Sequence, residues 1–470
     1  MSTFYRPENS VAADFIPFYW KGDYHLFYLR DWRDPANHGE GTPWFHLVTR
    51  DFVKFEDWGE ALPRGTQDEQ DLYVFTGCVF EANGLFHIFY TGHNPHFSKT
   101  GRPQQAVLHA TSPDLRTWTK DRDFSFFAPA ELGYEPHDWR DPFVYRDESR
   151  GEFGMLLAAR KTTGPSRNRG CVALATSPDL KTWTVRDPFW EPDEYFTHEC
   201  PDLFQIGKWW YLVYSTFTER SVTHYRMSRS LHGPWLTPAN DTFDGRAYYA
   251  AKTAGNEKKR FVFGWLPTRN EEKDDAWWQW GGDLVVHELV QQPNGTLAVK
   301  PPKTVLAQMA KRQAFQASPV LGTWKTSTRQ FEANAVGRHS MLSLGALPDE
   351  CLIEMDITFE KGTAAAGLLL RADETFDKYY QLRLEPANRR LVVDRWPRPG
   401  DQPFMLERPL PMKAGEPVHL RVMVSGTCLV AYVNDAIALS CRMYEHRAGR
   451  LGLFVTEGHT RFSKVSVQTG

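Results

Sequence analysis

Carboxylic acids recur at the start of similar strand pairs in the first half of this 470-residue chain. Glu199 opens a short apolar segment that is followed by a turn and an aromatic segment, a pattern that predicts two antiparallel strands. Asp14 and Asp141 open comparable segments, and Thr76 takes the same place in another copy. Cleavage of a glycosidic bond needs two carboxyl groups, one as nucleophile or base and one as acid. Asp14 and Glu199 are candidates for these two roles, and Asp141 for a third acid that stabilises developing positive charge.

The four openings follow one another at intervals of about 60 residues, which is typical of an array of equivalent sheet units. A turn followed by a tryptophan recurs between them, and these rings are expected to pack between neighbouring sheets: Trp58, Trp118, Trp183 and Trp235. A fifth, more divergent unit spans about residues 250–286. We therefore predict an all-β fold that begins with a five-bladed β-propeller, in which the first strands surround one axis. That geometry brings acids that are distant in sequence into one funnel.

The pattern changes after residue 302 to an alternation of apolar and polar residues with a period of two. Segments such as 352–357 and 419–424, with turns at 433–435 and 399–400, predict a two-sheet antiparallel β-sandwich. The expected organisation is a catalytic propeller over residues 1–303, a connector over 304–316 and a sandwich over 317–470. The sandwich either supports the propeller or holds extra sugar units.

Composition narrows the class of partner. The net charge of −3 provides no strong basic field, so we expect neither a nucleic acid nor an anionic membrane as partner, and an uncharged carbohydrate fits better. The six cysteines are widely spaced without a CxxC pair, which indicates free thiols, and we expect no metal and no organic cofactor. The sequence shows no signal peptide or membrane-spanning run, so we expect a cytoplasmic protein unless a leader was removed. The oligomeric state is not indicated.

Two short motifs resemble those of a known family. Arg140-Asp141-Pro142 and Glu199-Cys200 are similar to the Arg-Asp-Pro and Glu-Cys motifs of glycoside hydrolase family 32, the invertases, inulinases and levanases. Further similarity lies at 24–28, 75–78 and 249–252, and the resemblance extends over nearly the whole chain. It implies a retaining mechanism with Asp14 as nucleophile, Glu199 as acid/base and Asp141 as transition-state stabiliser. It also implies substrate-binding residues, namely Arg140 and an apolar wall of Trp44, Phe75 and Trp280.

The sequence departs from the family pattern around the nucleophile. The segment 11–17 lacks the Trp, the two Asn and the Gly that usually surround this Asp, and Leu29 stands where a Gln is usual. Those polar groups hold the terminal fructosyl unit in the family, and their loss alters which hydroxyl groups are recognised. Two interpretations of nearby polar residues stay open, a replacement set of sugar-binding groups or solvated loop positions: Arg30, Asp31, Arg33 and His46.

The sequence therefore predicts a hydrolase that cleaves β-fructofuranosidic bonds in fructans, sucrose or fructo-oligosaccharides by double displacement. Two enzymatic alternatives remain, a fructosyltransferase and a hydrolase of another furanoside such as a difructose anhydride or an arabinofuranoside. A third alternative is a carbohydrate-binding protein without catalytic activity, in which the acids only bind hydroxyl groups.

Overall fold

The computed structural model describes residues 3–256, 258–398 and 405–470, and nearly all of its regular structure is β-strand. The strands of the first three hundred residues form five consecutive antiparallel sets. In chain order these are β1 (Val11–Trp20), β2 (Asp23–Asp31), β3 (Trp44–Thr49) and β4 (Glu56–Leu62); β5 (Tyr73–Ala82), β6 (Leu85–His93), β7 (Gln105–Ser112) and β8 (Thr119–Lys120); β9 (Tyr134–Asp147), β10 (Glu152–Lys161), β11 (Gly170–Ser177) and β12 (Thr184–Val185); β13 (Glu199–Ile206), β14 (Trp209–Thr216) and β15 (Val222–Ser228); β16 (Tyr249–Gly255), β17 (Arg260–Arg269), β18 (Trp278–Gln291) and β19 (Leu297–Lys300).

The first strand of each set contacts the first strand of the next, from β1 through β5, β9 and β13 to β16, and β16 contacts β1 again. These strands therefore form a closed ring. The last set also joins the first by direct strand pairing, because β18 pairs with β1 at Gly282 and Ala12 and the two sets share one continuous sheet. We call this pairing the seam.

Tryptophans lie between neighbouring sets, as the repeated turn motif predicts. Three of them contact an aromatic ring of the preceding set, with ring centroids 5.8, 5.6 and 5.6 Å apart: Trp118 with Phe27, Trp183 with Phe89, and Trp235 with Phe189. Trp58 packs on His25 and His46 of its own set and is covered by the Arg116 guanidinium of the next. The aromatic rings bury apolar area where adjacent sheets meet.

Residues 303–470 continue with a short helix and two further sheets. Helix α2 (Lys303–Leu306) is followed by fifteen strands: β20 (Lys311–Arg312), β21 (Ser318–Leu321), β22 (Trp324–Thr326), β23 (Phe331–Asn334), β24 (His339–Ala346), β25 (Glu350–Phe359), β26 (Ala365–Ala372), β27 (Tyr379–Glu385), β28 (Arg390–Trp396), β29 (Leu406–Pro409), β30 (Val418–Ser425), β31 (Cys428–Val433), β32 (Ile437–Arg442), β33 (Arg450–Thr456) and β34 (His459–Thr469). The remaining helical turns are α1 (Pro35–His38) and 3₁₀ segments at Pro95–Thr100, Ala130–Leu132, Ser166–Asn168 and Asn270–Glu272.

One of the two sheets runs in the order β22-β23-β34-β25-β30-β31-β32, with β20 on β34, and the other runs β21-β24-β33-β26-β27-β28-β29. Their apolar side chains share one core, which agrees with the alternation seen in the sequence. The turn predicted at 399–400 lies outside the described residues. Across the described ranges, no helix is long and apolar enough to cross a membrane, and all six cysteines are buried free thiols.

A buried polar network joins the ring to the first of these two sheets. The Asp244 carboxylate accepts hydrogen bonds from the Ser440 amide at 2.7 Å, the Ser440 hydroxyl at 2.6 Å and His287 Nε2 at 3.0 Å. His287 Nδ1 in turn lies 2.8 Å from the Tyr432 hydroxyl. Burial alone raises the pKa of Asp244, but His287, the charge of Arg408 and Ser440 outweigh it and hold that pKa below its ordinary value.

A second cross-link lies closer to the ring axis. Arg442 donates to the backbone oxygens of Leu266 at 2.7 Å and Pro267 at 3.0 Å, and it pairs with Asp283. These three residues belong to β17 and β18, the strands that also carry Trp265 and Trp280. Strand β32 thus holds two strands whose side chains reach the ring centre.

Removal of the Asp244 carboxylate leaves several buried donors without an acceptor. We therefore expect Asp244→Ala to lower the free energy of unfolding by about 3–5 kcal/mol. Thermal and urea unfolding measure this loss. Asp275→Ala, at an exposed position near the same junction, is the control and is expected to change stability by less than about 0.5 kcal/mol. Equal effects of the two substitutions contradict a stabilising role of the network.

Candidate active site

A cavity of about 490 Å³ opens at the centre of the ring. Each of the five first strands contributes to its wall: Asp14 from β1, Phe75 from β5, Asp141 from β9, Glu199 from β13 and Tyr249 from β16. The remaining lining residues are Gln104, Gln105, His137, Asp138, Arg140, Phe196, Cys200, Phe217 and Trp280. The three acids that the sequence singles out therefore meet in one cavity.

A β-bulge interrupts each first strand at the level of the cavity. The pairing register shifts next to Asp14 in β1, between Phe75 and Gly77 in β5, next to Asp141 in β9, after Glu199 in β13 and after Tyr249 in β16. Four of these strands contain a non-glycine residue with positive φ at the bulge: Asp14 (42°), Asp141 (58°), Cys200 (51°) and Ala250 (48°). Bulges redirect side chains and are frequent next to active sites, and this left-handed backbone is strained for such residues.

The Asp14 carboxylate is held by two donors from other strands. The Thr76 hydroxyl donates to Oδ2 at 2.7 Å, and Trp265 Nε1 donates to Oδ1 at 3.0 Å. Loss of hydration raises the pKa of Asp14 to about 7; the negative charges of Asp141 and Glu199 add to this rise, and the Thr76 and Trp265 donors limit it. A carboxylate oriented in this way is suited to nucleophilic attack once it is ionised.

Asp141 lies deeper, with 4% of its surface exposed. Its Oδ2 accepts a hydrogen bond from the Cys200 amide at 2.9 Å and lies 3.9 Å from Arg140 Nε. Burial raises the pKa of Asp141 to about 6; the Arg140 charge lowers that pKa, and the nearby Glu199 raises it. The side chain is fixed beside the cavity without a flexible partner, as a group that stabilises charge must be.

Glu199 is bound through both carboxyl oxygens. Arg140 Nη2 donates to Oε1 at 3.0 Å, and the Tyr249 hydroxyl donates to Oε2. Burial and the adjacent Glu199 raise the pKa of Tyr249 well above its ordinary value, so the phenol keeps its proton. Arg140 itself also donates to Asp138 at 2.5 Å, and its charge is therefore shared among the acids around the cavity.

Two threonines connect the acid-bearing strands. The Asp141 amide donates to Thr91 Oγ1 at 2.7 Å, and the Thr91 hydroxyl donates to the backbone oxygen of Thr76 at 2.9 Å. Thr76 then donates through its own hydroxyl to Asp14. This chain of bonds crosses from β9 through β6 and β5 to β1. Thr76 has a signal in the sequence, since it opens the second of the repeated strand pairs, where the other copies carry an acid.

Two of the three residues of the predicted apolar wall line the cavity, Phe75 and Trp280. The prediction for Trp44 is wrong: its side chain is fully buried, and Nε1 donates to the backbone oxygens of Val74 and Phe75. Trp44 thus supports Phe75 from behind. A strand pattern alone does not tell which of its aromatic side chains faces a cavity and which faces a sheet neighbour.

Four polar groups near Asp14 do not line this cavity: Arg30, Asp31, Arg33 and His46. Asp31 and Arg33 line a neighbouring cavity of about 390 Å³, which shares Phe75 and Trp280 with the first. Arg33, for example, donates to the backbone oxygen of Trp280 at 2.6 Å, and His46 is buried against Phe27. Other polar residues take that place, namely Gln104, Gln105, His137 and Asp138, which lie in or before the strands β7 and β9. Their types and spacing carry no signal in the sequence. Among the described residues, no cluster of three or more His, Cys, Asp or Glu side chains could hold a metal ion.

The raised pKa of Asp14 has a consequence for stability. A carboxyl whose pKa rises from 3.8 to about 7 on folding stabilises the folded state at low pH, and this contribution is lost as the pH rises through 7. Asp14→Asn cannot ionise and keeps both hydrogen bonds, since its amide can donate to Thr76. We expect it to exceed the wild type in unfolding free energy by about 1–3 kcal/mol at pH 8, with little difference at pH 4.

Thermal unfolding of both proteins from pH 4 to pH 8 measures this difference, with the exposed Asp275→Asn as control. If the difference in unfolding free energy between the two proteins does not change with pH, the Asp14 carboxyl does not have a raised pKa.

Comparisons with known proteins agree with this arrangement. Two family models match, the glycosyl hydrolases family 32 N-terminal domain over residues 12–301 and the family 32 C-terminal domain over residues 322–469. The chain is 23% identical to a levanbiose-producing levanase of Bacillus subtilis, over 89% of this chain and 80% of the levanase. It is 22% identical to a sucrose-6-phosphate hydrolase of Escherichia coli, over 93% of this chain and 88% of that protein.

Among solved structures, fructan 1-exohydrolase IIa from Cichorium intybus superimposes with a TM-score of 0.76 at 16% identity, covering 100% of this chain and 97% of the other. The chain therefore shares the fold of that structure. Since the two family models together match most of its length, the chain belongs to glycosyl hydrolases family 32 and is a glycoside hydrolase.

Proposed function

We propose that this glycoside hydrolase cleaves β-fructofuranosidic bonds in fructans, sucrose or fructo-oligosaccharides by double displacement. The observation that carries the proposal is the meeting of Asp14, Asp141 and Glu199 in one cavity, each with a different set of partners. The names of the relatives, levanase and sucrose-6-phosphate hydrolase, support the fructosyl specificity.

The proposed architecture is a five-bladed β-propeller over residues 1–303, a connector over 304–316 and a β-sandwich over 317–470. The closed sequence of contacts among five first strands supports five blades, and the two family segments, 12–301 and 322–469, support the division. Helix α2 and strand β20 give the connector some regular structure. Arg442 and Asp244 contacts support a buttressing role for the sandwich.

In the proposed mechanism, the Asp14 carboxylate attacks the anomeric carbon while Glu199 protonates the leaving oxygen. The covalent fructosyl–Asp14 ester is then hydrolysed by a water molecule that Glu199, now ionised, activates. Asp141, fixed by the Cys200 amide, stabilises the positive charge that develops on the furanose ring in both steps.

The protonation state that this mechanism needs is an ionised Asp14 beside a protonated Glu199. The raised pKa values of Asp14 and Asp141, about 7 and about 6, mean that these two carboxyl groups hold protons close to neutral pH. The mechanism therefore requires that Asp14 lose its proton before the attack and that Glu199 give a proton to the glycosidic oxygen beside it.

The assignment of roles is tested with Asp14→Ala and Glu199→Gln on sucrose, inulin, levan and an aryl β-fructofuranoside. We expect no turnover with Asp14→Ala. Glu199→Gln is expected to lose about 10²–10⁴-fold in kcat/KM on sucrose and less on the aryl substrate, whose leaving group needs no proton. NMR of the first product is expected to show retained β-configuration.

Glu148→Gln, far from the cavity at an exposed position, serves as the control. Release of an inverted product contradicts double displacement. Turnover only of arabinofuranosides or difructose anhydrides contradicts the substrate, and binding without any turnover contradicts the enzymatic proposal itself.

The pH profile offers a separate test through Thr76. Its hydroxyl lowers the pKa of Asp14, so Thr76→Ala is expected to raise that pKa and to move the acidic limb of kcat/KM upward by about one pH unit. Thr76→Ser retains the donor and is expected to keep the wild-type limb. If both substitutions leave the limb in place, Asp14 is not the group that must ionise.

A further inference from the structure

Two phenylalanines flank Glu199 at the mouth of the cavity. Phe196 precedes Glu199 by three residues in the chain. Phe217 lies two residues beyond Ser215, which is the register partner of Glu199 in β14. Both rings line the cavity, and their centroids are 6.0 Å apart in an edge-to-face arrangement.

Phe196 is held rigidly. The Arg160 guanidinium lies 3.5 Å from the centroid of its ring and donates to its backbone oxygen at 2.6 Å. Arg160 is itself 2% exposed and is paired with Glu135 at 2.8 Å. Phe217 leans on this fixed ring while 46% of its surface stays exposed. The pair therefore offers a preformed apolar surface next to Glu199.

The position of the two phenylalanines relative to Glu199 indicates which part of the substrate they contact. If Glu199 protonates the leaving oxygen, as proposed above, the group attached to that oxygen must lie on the Glu199 side of the cavity. Aromatic side chains bind sugars by packing against the C–H face of the sugar ring, and they also bind flat apolar groups. His137 and Gln104, which also line the cavity, provide polar partners for hydroxyl groups.

The charges of the residues that line the cavity favour a neutral leaving group over a phosphorylated one. The cavity lining contains four carboxyl groups, Asp14, Asp138, Asp141 and Glu199, and its one arginine is Arg140. Arg140 already binds Asp138 and Glu199, so it has little remaining capacity for a phosphate. A dianion entering such a site meets a predominantly negative field.

We propose that Phe196 and Phe217 form the leaving-group site and that this site takes an uncharged sugar rather than a phosphorylated one. The inference rests on the proposed function and specifies its substrate. It also separates this chain from its relative that is named a sucrose-6-phosphate hydrolase, although the two share a family.

The test compares three substrates that share the fructosyl unit: methyl β-fructofuranoside, sucrose, and sucrose phosphorylated on the glucosyl 6-hydroxyl. Wild-type kcat/KM is expected to be at least tenfold higher for sucrose than for its phosphate. Phe217→Ala is expected to lower kcat/KM for sucrose about three- to tenfold while the methyl glycoside changes less than twofold, because a methyl group does not reach the ring. Phe217→Leu is expected to show an intermediate loss.

Phe127→Ala is the matched control, since Phe127 is 40% exposed and does not line the cavity. Equal losses of Phe217→Ala on sucrose and the methyl glycoside, no loss on either, or a wild-type preference for the phosphate each overturn the inference. Turnover of the methyl glycoside by the wild type tests the proposed function alone. If the wild type turns over none of the three substrates, the proposed function fails, and not the assignment of the leaving-group site.

Discussion

Asp14, Asp141 and Glu199 are packed into one cavity, and the rest of the ring must offset the repulsion and the lost hydration that this causes. Each acid receives donors from strands other than its own: Thr76 and Trp265 for Asp14, the Cys200 amide for Asp141, and Arg140 with Tyr249 for Glu199. No single set of strands can hold its own acid in place. The site therefore depends on the relative positions of all the first strands, and through Arg442 and Asp244 on the C-terminal sheets as well.

The bulges lower the stability of the fold, because they hold several residues in a strained backbone conformation around the cavity. A non-glycine residue in the left-handed region costs on the order of 1–3 kcal/mol, and such residues occupy the bulges of β1, β9, β13 and β16. The residues on either side of each bulge are paired with the neighbouring strand, and this pairing holds the strained residues in place. The same backbone distortion recurs around the ring, also at the bulges of β5 and β16 where no acid is present, which indicates that it belongs to the ring's geometry.

The sequence allows the acids and the strand repeat to be predicted because both are periodic. Asp14, Asp141 and Glu199 lie at or next to the bulges of equivalent first strands, although only Glu199 begins its strand, and equivalent positions in a closed ring converge. The sequence is less informative about which way a side chain of a strand points. For this reason the position of Trp44, which lies behind Phe75, is not predicted. The residues at the mouth, Phe196 and Phe217, stand in irregular segments where neither period nor propensity applies, so only three-dimensional contacts reveal them.

The seam imposes an order of assembly. The indole that orients Asp14 lies 251 residues later in the chain, and Gly282 pairs with Ala12 only after the last set has emerged. At ordinary translation rates, the edge of β1 that awaits Gly282 stays uncovered for on the order of 15 to 50 seconds. An open strand edge is a template for pairing with other chains. The nascent protein thus exposes an unpaired edge at the strand that bears Asp14, the proposed nucleophile, until the last set is complete.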